Sequence, residues 1–216
     1  MILRLLFVFV LSSCGWSTLV SQLPDERLLR TKAPDRFRVM FKTSKGDFTI
    51  EAYRSWSPLA VDRLYQLVIS GYYSSNMIFR VERNYVLQFG ITDQKALNFF
   101  WDKRRIQDEP VKQLHKKGVV AFARDVANSR AAQLFINMTD NPKLDTVVRE
   151  GVKGYPPIGK VINGMDVLFR FNDRYQKQVL PVQDSVYRYG NSYLNRHFPG
   201  LDIIYSATLL PTSQKP

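Results

Sequence analysis

At 216 residues, 45% hydrophobic and 23% charged, the chain suits one globular domain with its own core, and this composition excludes wholesale disorder and a multi-span membrane bundle. The formal charge of +12 favours anionic surroundings, but the basic residues are scattered, with Lys103-Arg104-Arg105 and Lys116-Lys117 the densest clusters, so no nucleic-acid partner is expected. A single cysteine excludes an intrachain disulfide, and His115 and His197 are too isolated for a metal site; both are expected in loops or at the surface, and no cofactor is expected.

The amino terminus reads as an address. Met1-Ile2-Leu3-Arg4 is a short basic start, and Leu5 to Leu11 is an apolar run too short to span a bilayer, the pattern of a signal peptide over residues 1–13. Leu11-Ser12-Ser13-Cys14 is similar to a bacterial lipobox, in which the cysteine is lipidated and becomes the first mature residue. An ordinary cleaved leader that contains a cysteine is the alternative. Several acyl chains on Cys14 would hold the protein stably on a membrane. Gly15, where a retained lipoprotein would carry aspartate, then implies an exported protein on the periplasmic side of the outer membrane, if the cell has two membranes. Residues 14–35 lack sustained periodicity and read as a tether, leaving a domain over 36–212 and a tail over 213–216.

In the body, Phe37, Val39 and Phe41 alternate with polar or solvent-facing positions, Ser44-Lys45-Gly46-Asp47 forms a turn, and Phe48 and Ile50 continue the alternation, which predicts a hairpin with one buried face. Ser57-Pro58 offers a cap followed by proline at the first helical position, and Val61, Leu64, Tyr65 and Val68 fall at helical spacing up to Gly71. Short apolar runs at Met77 to Val81, Tyr85 to Phe89, Val119 to Ala123 and Leu134 to Asn137 predict strands. Gly164 with Met165, Leu168 and Phe169 predicts a second helix, and Ile203-Ile204-Tyr205 begins a closing strand. The pattern is mainly β with two capping helices, and an antiparallel sheet closed into a barrel fits it better than alternating parallel units.

An ordered set of fragments resembles the cyclophilins. It consists of Thr43 to Phe48, the helix with Pro58, Ala60 and Leu67, Phe79-Arg80-Val81, Gln88-Phe89-Gly90, Gln133 to Asn137, Gly159-Lys160-Val161 and Gly164-Met165-Asp166, and it covers about residues 36 to 172. Gly190-Asn191, Tyr193-Leu194, Phe198-Pro199 and Leu201-Asp202 are similar to the tails of certain bacterial members. The resemblance implies a closed eight-stranded antiparallel barrel and peptidyl-prolyl cis-trans isomerase activity (EC 5.2.1.8) on proline-containing polypeptides, here during the folding of exported proteins. A monomer is expected.

It also implies site residues. Arg80 would donate towards the prolyl nitrogen, Gln88 would orient Arg80 and the substrate carbonyl, and Phe135 would wall the proline pocket with Leu144 and Val86. Ala123 and Gln133 would line the adjoining groove. Four positions depart from the family's usual residues: Tyr85 stands for phenylalanine, Val86 for methionine, Lys143 for the tryptophan of many eukaryotic members, and Tyr155 for the pocket histidine. A polar insertion from Thr146 to Lys153 lies between Asp145 and Gly159. Two other functions stay open: a proline-peptide-binding or chaperone module with poor turnover, and a membrane-surface scaffold that needs no proline site.

Overall fold

The computed structural model describes residues 23–211; the leader, Cys14 and the tail beyond Pro211 lie outside the described residues. The first element, α1 (Glu26–Arg30), falls in the span expected as a tether. The Asp25 carboxylate caps it by accepting from the Leu28 N–H at 2.8 Å, and Leu28 and Leu29 pack against the main core. Gln66 donates to the Leu29 and Thr31 carbonyls and Asp62 accepts from the Ala33 amide, so this segment is fastened to the domain.

The expected hairpin is β1 (Arg36–Thr43) with β2 (Gly46–Tyr53). Phe37, Val39 and Phe41 turn inward on one strand and Phe48, Ile50 and Ala52 on the other, with Phe41 stacked on Phe48 at 4.8 Å. Then comes α2 (Pro58–Ile69), which buries Val61, Leu64 and Leu67. Its cap differs from expectation, because the Ser57 hydroxyl donates to the Pro157 carbonyl instead. The Glu109 carboxylate takes over, accepting from the Leu59 and Ala60 amides at 2.8 and 3.1 Å while pairing with buried Arg130 at 3.1 Å. A carboxylate there meets unpaired N–H groups at the positive end of the helix dipole.

The following elements are β3 (Asn76–Met77), β4 (Arg80–Val81), β5 (Val86–Phe89), α3 (Lys95–Asp102), β6 (Val119–Phe122), β7 (Leu134–Asn137) and α4 (Lys143–Thr146). The polar insertion is a small hairpin, β8 (Val148–Arg149) and β9 (Val152–Lys153), turned on Glu150 and Gly151, both at the positive φ that a two-residue hairpin loop demands. The chain finishes with β10 (Pro157–Asn163), α5 (Met165–Leu168), α6 (Gln183–His197) and β11 (Ile203–Leu210).

One antiparallel sheet runs in the order β3, β11, β1, β2, β10, β6, β7, β5, β4. The closed eight-stranded barrel is met only roughly. The sheet counts nine strands, and its two edges, β3 and β4, follow one another along the chain with only Ile78 and Phe79 between them. The sheet thus curls until its ends are successive pieces of the same chain segment. Helices α2 and α5 answer to the two expected; α1, α3, α4 and α6 were not anticipated. In α6 only Val186 and Leu194 are buried apart from Gly190, too sparse a stripe to announce a helix.

Helix α6 rests on a second, smaller core of Met77, Phe79, Ile91 and Val179, which joins it to the residues flanking β4 and β5. Gly190 breaks its regular course at φ 60°, ψ −146°, a conformation open essentially to glycine alone. Beyond the break the Asp93 carboxylate accepts from the Asn191 amide at 2.6 Å, and a Cβ on Gly190 would lie 2.2 Å from that oxygen. Gly190→Ala is therefore expected to lower stability by about 2 kcal/mol or more, measured as a fall in the urea midpoint without a change in slope.

Candidate active site

Four neighbouring strands carry one row of side chains on the outer face of the sheet. Arg80 in β4 pairs opposite Gln88 in β5, Gln88 opposite Phe135 in β7, and Phe135 opposite Ala121 in β6. Successive residues of a strand point to opposite faces, so Leu87, Phe89, Val120, Phe122, Leu134 and Ile136 fill the interior while the row faces outward. Gln133 and Ala123 extend the row at one end, where the Ala123 amide donates to the Gln133 carbonyl, and Val86 extends it at the other. Gly90 permits the first end: its φ is +114°, a left-handed value that L side chains rarely adopt, and a Cβ there would come within 2.6 Å of Gln133 Cα.

The row borders an open groove of about 1050 Å³. Arg80, Gln88, Phe135, Tyr85, Val86, Ala123, Gln133, Leu144 and Tyr155 all line it, so every site residue inferred for the body from the sequence is brought to one place. Cys14, inferred as a lipidation site, lies outside the described residues. The apolar half of the groove is built from Val86, Ala121, Phe135, Leu144 and Tyr155, with Tyr85, Ala123 and Val147 at its edge. Phe135 and Tyr155 meet edge to face at 5.6 Å. Tyr85 is half-buried there; burial pushes its hydroxyl up in pKa, opposed by the nearby Arg80 charge.

Arg80 is held from two sides. Its Nε donates to Glu82 Oε1 at 2.6 Å and its Nη1 to Gln88 Oε1 at 3.0 Å, while the guanidinium stands 5.3 Å from the centre of the Tyr85 ring. Gln88 in turn donates from Nε2 to Gln133 Oε1 at 2.8 Å. A fixed cation with N–H groups to spare thus stands beside an apolar slot. Such an arrangement can seat a compact apolar ring and stabilise electron density that develops on an atom above the guanidinium.

Two residues behind the slot escaped the sequence reading. His115 lies in a loop as expected but is buried, stacked on Phe135 at 5.7 Å. Its Nε2 lies 2.6 Å from the Tyr155 carbonyl, which only accepts, so Nε2 carries the proton and Nδ1 accepts from the Asn137 side chain at 2.9 Å. Arg124 is buried with its guanidinium 5.0 Å from the Tyr155 ring centre and donates to the Gly154 carbonyl at 2.8 Å, tying the β8–β9 hairpin to the floor of the groove. An isolated histidine and arginine in polar surroundings carry no periodic signal, and only the fold shows what covers them.

The model of the family described as cyclophilin type peptidyl-prolyl cis-trans isomerase/CLD matches residues 38–189, well over half of the chain. The chain belongs to the cyclophilin family. It is 26% identical over 150 residues to the peptidyl-prolyl cis-trans isomerase cypE of Dictyostelium discoideum, covering 68% of this chain and 91% of that protein. It is 29% identical over 154 residues to peptidyl-prolyl cis-trans isomerase A of Dickeya dadantii, covering 68% of this chain and 76% of the relative. The fold is also that of a crystallised cyclophilin of Cryptosporidium parvum, with a TM-score of 0.57 at 19% identity over 82% of this chain and 99% of that one. Within the cyclophilin barrel of this chain, the hairpin and α6 stand at the groove's margins: Val147 and Arg149 border one part, and Gln183 and Tyr187 another.

Burial holds the His115 imidazole below its ordinary pKa, with the Tyr155 carbonyl acting the other way. The folded chain then takes up this proton less readily than the unfolded chain. The contribution to stability is complete above pH about 6.5 and is lost as pH falls below it towards the lowered folded value. Urea unfolding should show that loss in the wild type and a flatter pH dependence in His115→Gln.

Proposed function

We propose that the protein is a peptidyl-prolyl cis-trans isomerase that acts on exposed Xaa-Pro bonds in polypeptides. The carrying observation is the single outward row of Arg80, Gln88 and Phe135 beside an apolar slot. Rotation of a prolyl bond meets a resonance barrier of about 18–20 kcal/mol, and removing roughly 7 kcal/mol of it accelerates the reaction about 10⁵-fold. No bond is broken, so the site need only bind the twisted state better than either planar one.

In this reading the proline ring enters the slot against Phe135, Val86, Leu144 and Tyr155. As the amide twists, the nitrogen lone pair leaves conjugation with the carbonyl and becomes a hydrogen-bond acceptor. Arg80 donates to it from an N–H not engaged by Glu82 or Gln88, which stabilises the twisted state more than the planar ones. Gln88 holds Arg80 through its oxygen and Gln133 through one N–H, which leaves its second N–H for the substrate carbonyl. Ala123 and Gln133 receive the residues before proline.

Turnover of a prolyl tetrapeptide by the purified protein should fall about 10²–10³-fold in Arg80→Ala with the circular dichroism spectrum retained. Unchanged turnover would overturn the reading. A second reading, a proline-peptide-binding module with weak turnover, is favoured by one contact: the Glu82 carboxylate sits 2.6 Å from the guanidinium and partly neutralises it. Binding of the tetrapeptide without turnover in the wild type would select that module.

For location, we infer export and anchoring through a lipidated Cys14, with the protein serving folding chains at the membrane surface, which in a cell with two membranes is the periplasmic face of the outer one. The support is the order of basic start, apolar run, small residues and cysteine in residues 1–14. Cell fractionation should move the protein from the membrane to the soluble fraction in Cys14→Ala; persistent membrane association of the variant would rule the anchor out.

A further inference from the structure

The chain of side-chain amides that starts at Arg80 does not end inside the barrel. Gln133 donates from Nε2 to Gln183 Oε1 at 2.9 Å and to the Tyr187 hydroxyl at 3.2 Å, and both partners lie on α6. They are four residues apart, so one helical face presents both oxygens. We propose that Gln183 and Tyr187 are positioning residues for Arg80, which makes the tail helix part of the active machinery rather than an appendage. The proposal rests on the isomerase reading above.

The chemistry of the chain dictates its direction. A guanidinium donates and cannot accept, so Gln88 must turn its oxygen to Arg80 and its NH₂ to Gln133. Gln133 must then present its oxygen to Gln88 and its NH₂ to whatever comes next. That position has to be an acceptor, and Gln183 Oε1 with the Tyr187 hydroxyl supplies two. If Gln133 flipped, NH₂ would face NH₂ at Gln88 and oxygen would face oxygen at Gln183. Arg80 therefore sets the direction of the chain, and the two α6 groups, by accepting from Gln133, hold Gln133 and Gln88 in place against it.

Helix α6 is held independently of this chain, as a lever needs. Val186 and Leu194 are anchored among Met77, Phe79 and Ile91, the Asn191 amide donates to Asp93, and the Asn191 side chain donates to the Ser75 carbonyl at 2.8 Å. Phe79 directly precedes Arg80 in the chain, and Ile91 directly follows Gly90. The same element that supports the backbone on both sides of the site also terminates its hydrogen-bond chain.

The test compares two double variants of the full chain, Gln183→Leu with Tyr187→Phe, and Gln183→Glu with Tyr187→Phe. The first removes both acceptors and the second restores one. The leucine double should lower kcat for a prolyl tetrapeptide about tenfold with KM little changed, and the glutamate double should recover most of the loss. The Arg80 Nε–H resonance should shift and broaden in the leucine double and return towards its wild-type position in the glutamate double. Equal kcat and equal Arg80 resonances in the two doubles would overturn the proposal, as would a loss that merely tracks the thermal midpoint. The resonance keeps the two readings separable: absence of turnover in the wild type would defeat the isomerase reading, while the Arg80 signal would still report whether α6 sets its position.

Discussion

The register that sets Gln88 opposite Phe135 is the constraint on which the site depends. With a side-chain period of two, a slip of one residue in β5 or β7 would carry Gln88 or Phe135 into the interior and bring Leu87 or Leu134 out. The apolar partners on the inner face oppose that slip. Leu87, Phe89, Leu134 and Ile136 are all fully buried, and each would lose roughly 1.5–3 kcal/mol of burial if exposed. The hydrophobic core therefore stabilises the functional row by excluding its alternative register, without touching any substrate.

A second layer of support is ionic. Arg130 is buried and pairs with Glu109, which caps α2, while Asp108 lies within 3.7 Å of both Arg124 and Arg130. These contacts fasten the irregular segment between α3 and β6 to the barrel, and Arg124 extends the fastening to the β8–β9 hairpin and the Tyr155 ring. Removing one member of such a buried pair leaves its partner charged and uncompensated, which costs about 3–5 kcal/mol. His115 reaches the same region from the other side, through the Tyr155 carbonyl and the face of Phe135. The apolar wall of the slot is thus backed by His115, with both ring nitrogens engaged, and by Arg124, which donates to the Gly154 carbonyl.

The two margins of the groove are where the chain adds to the barrel. The inserted hairpin brings Val147 and Arg149 to one margin, and α6 brings Gln183 and Tyr187 to another. Lys143 also borders the groove from an exposed position. Arg80, held by Glu82 and Gln88, lies between a rigid sheet and these added pieces.

Much of this was legible in the sequence because it is periodic or ordered along the chain. The alternation in Phe37 to Ile50 and the spacing of Val61 to Val68 determined the hairpin and the main helix, the short apolar runs gave barrel strands, and the resemblance of Phe79-Arg80-Val81, Gln88-Phe89-Gly90 and Gln133 to Asn137 to the cyclophilins pointed to the residues of the groove. Arg124, His115, Gln183 and Tyr187 were not legible, since a lone polar residue declares neither its burial nor its partner. The replacement of Ser57 by Glu109 as the cap of α2 joins residues about fifty positions apart, and the Gln133 link to α6 spans a similar distance. Local pattern decides which face of a strand or helix is apolar. Only the tertiary structure decides which distant polar groups meet, because hydrogen bonds and ion pairs depend on positions in space that no local period encodes.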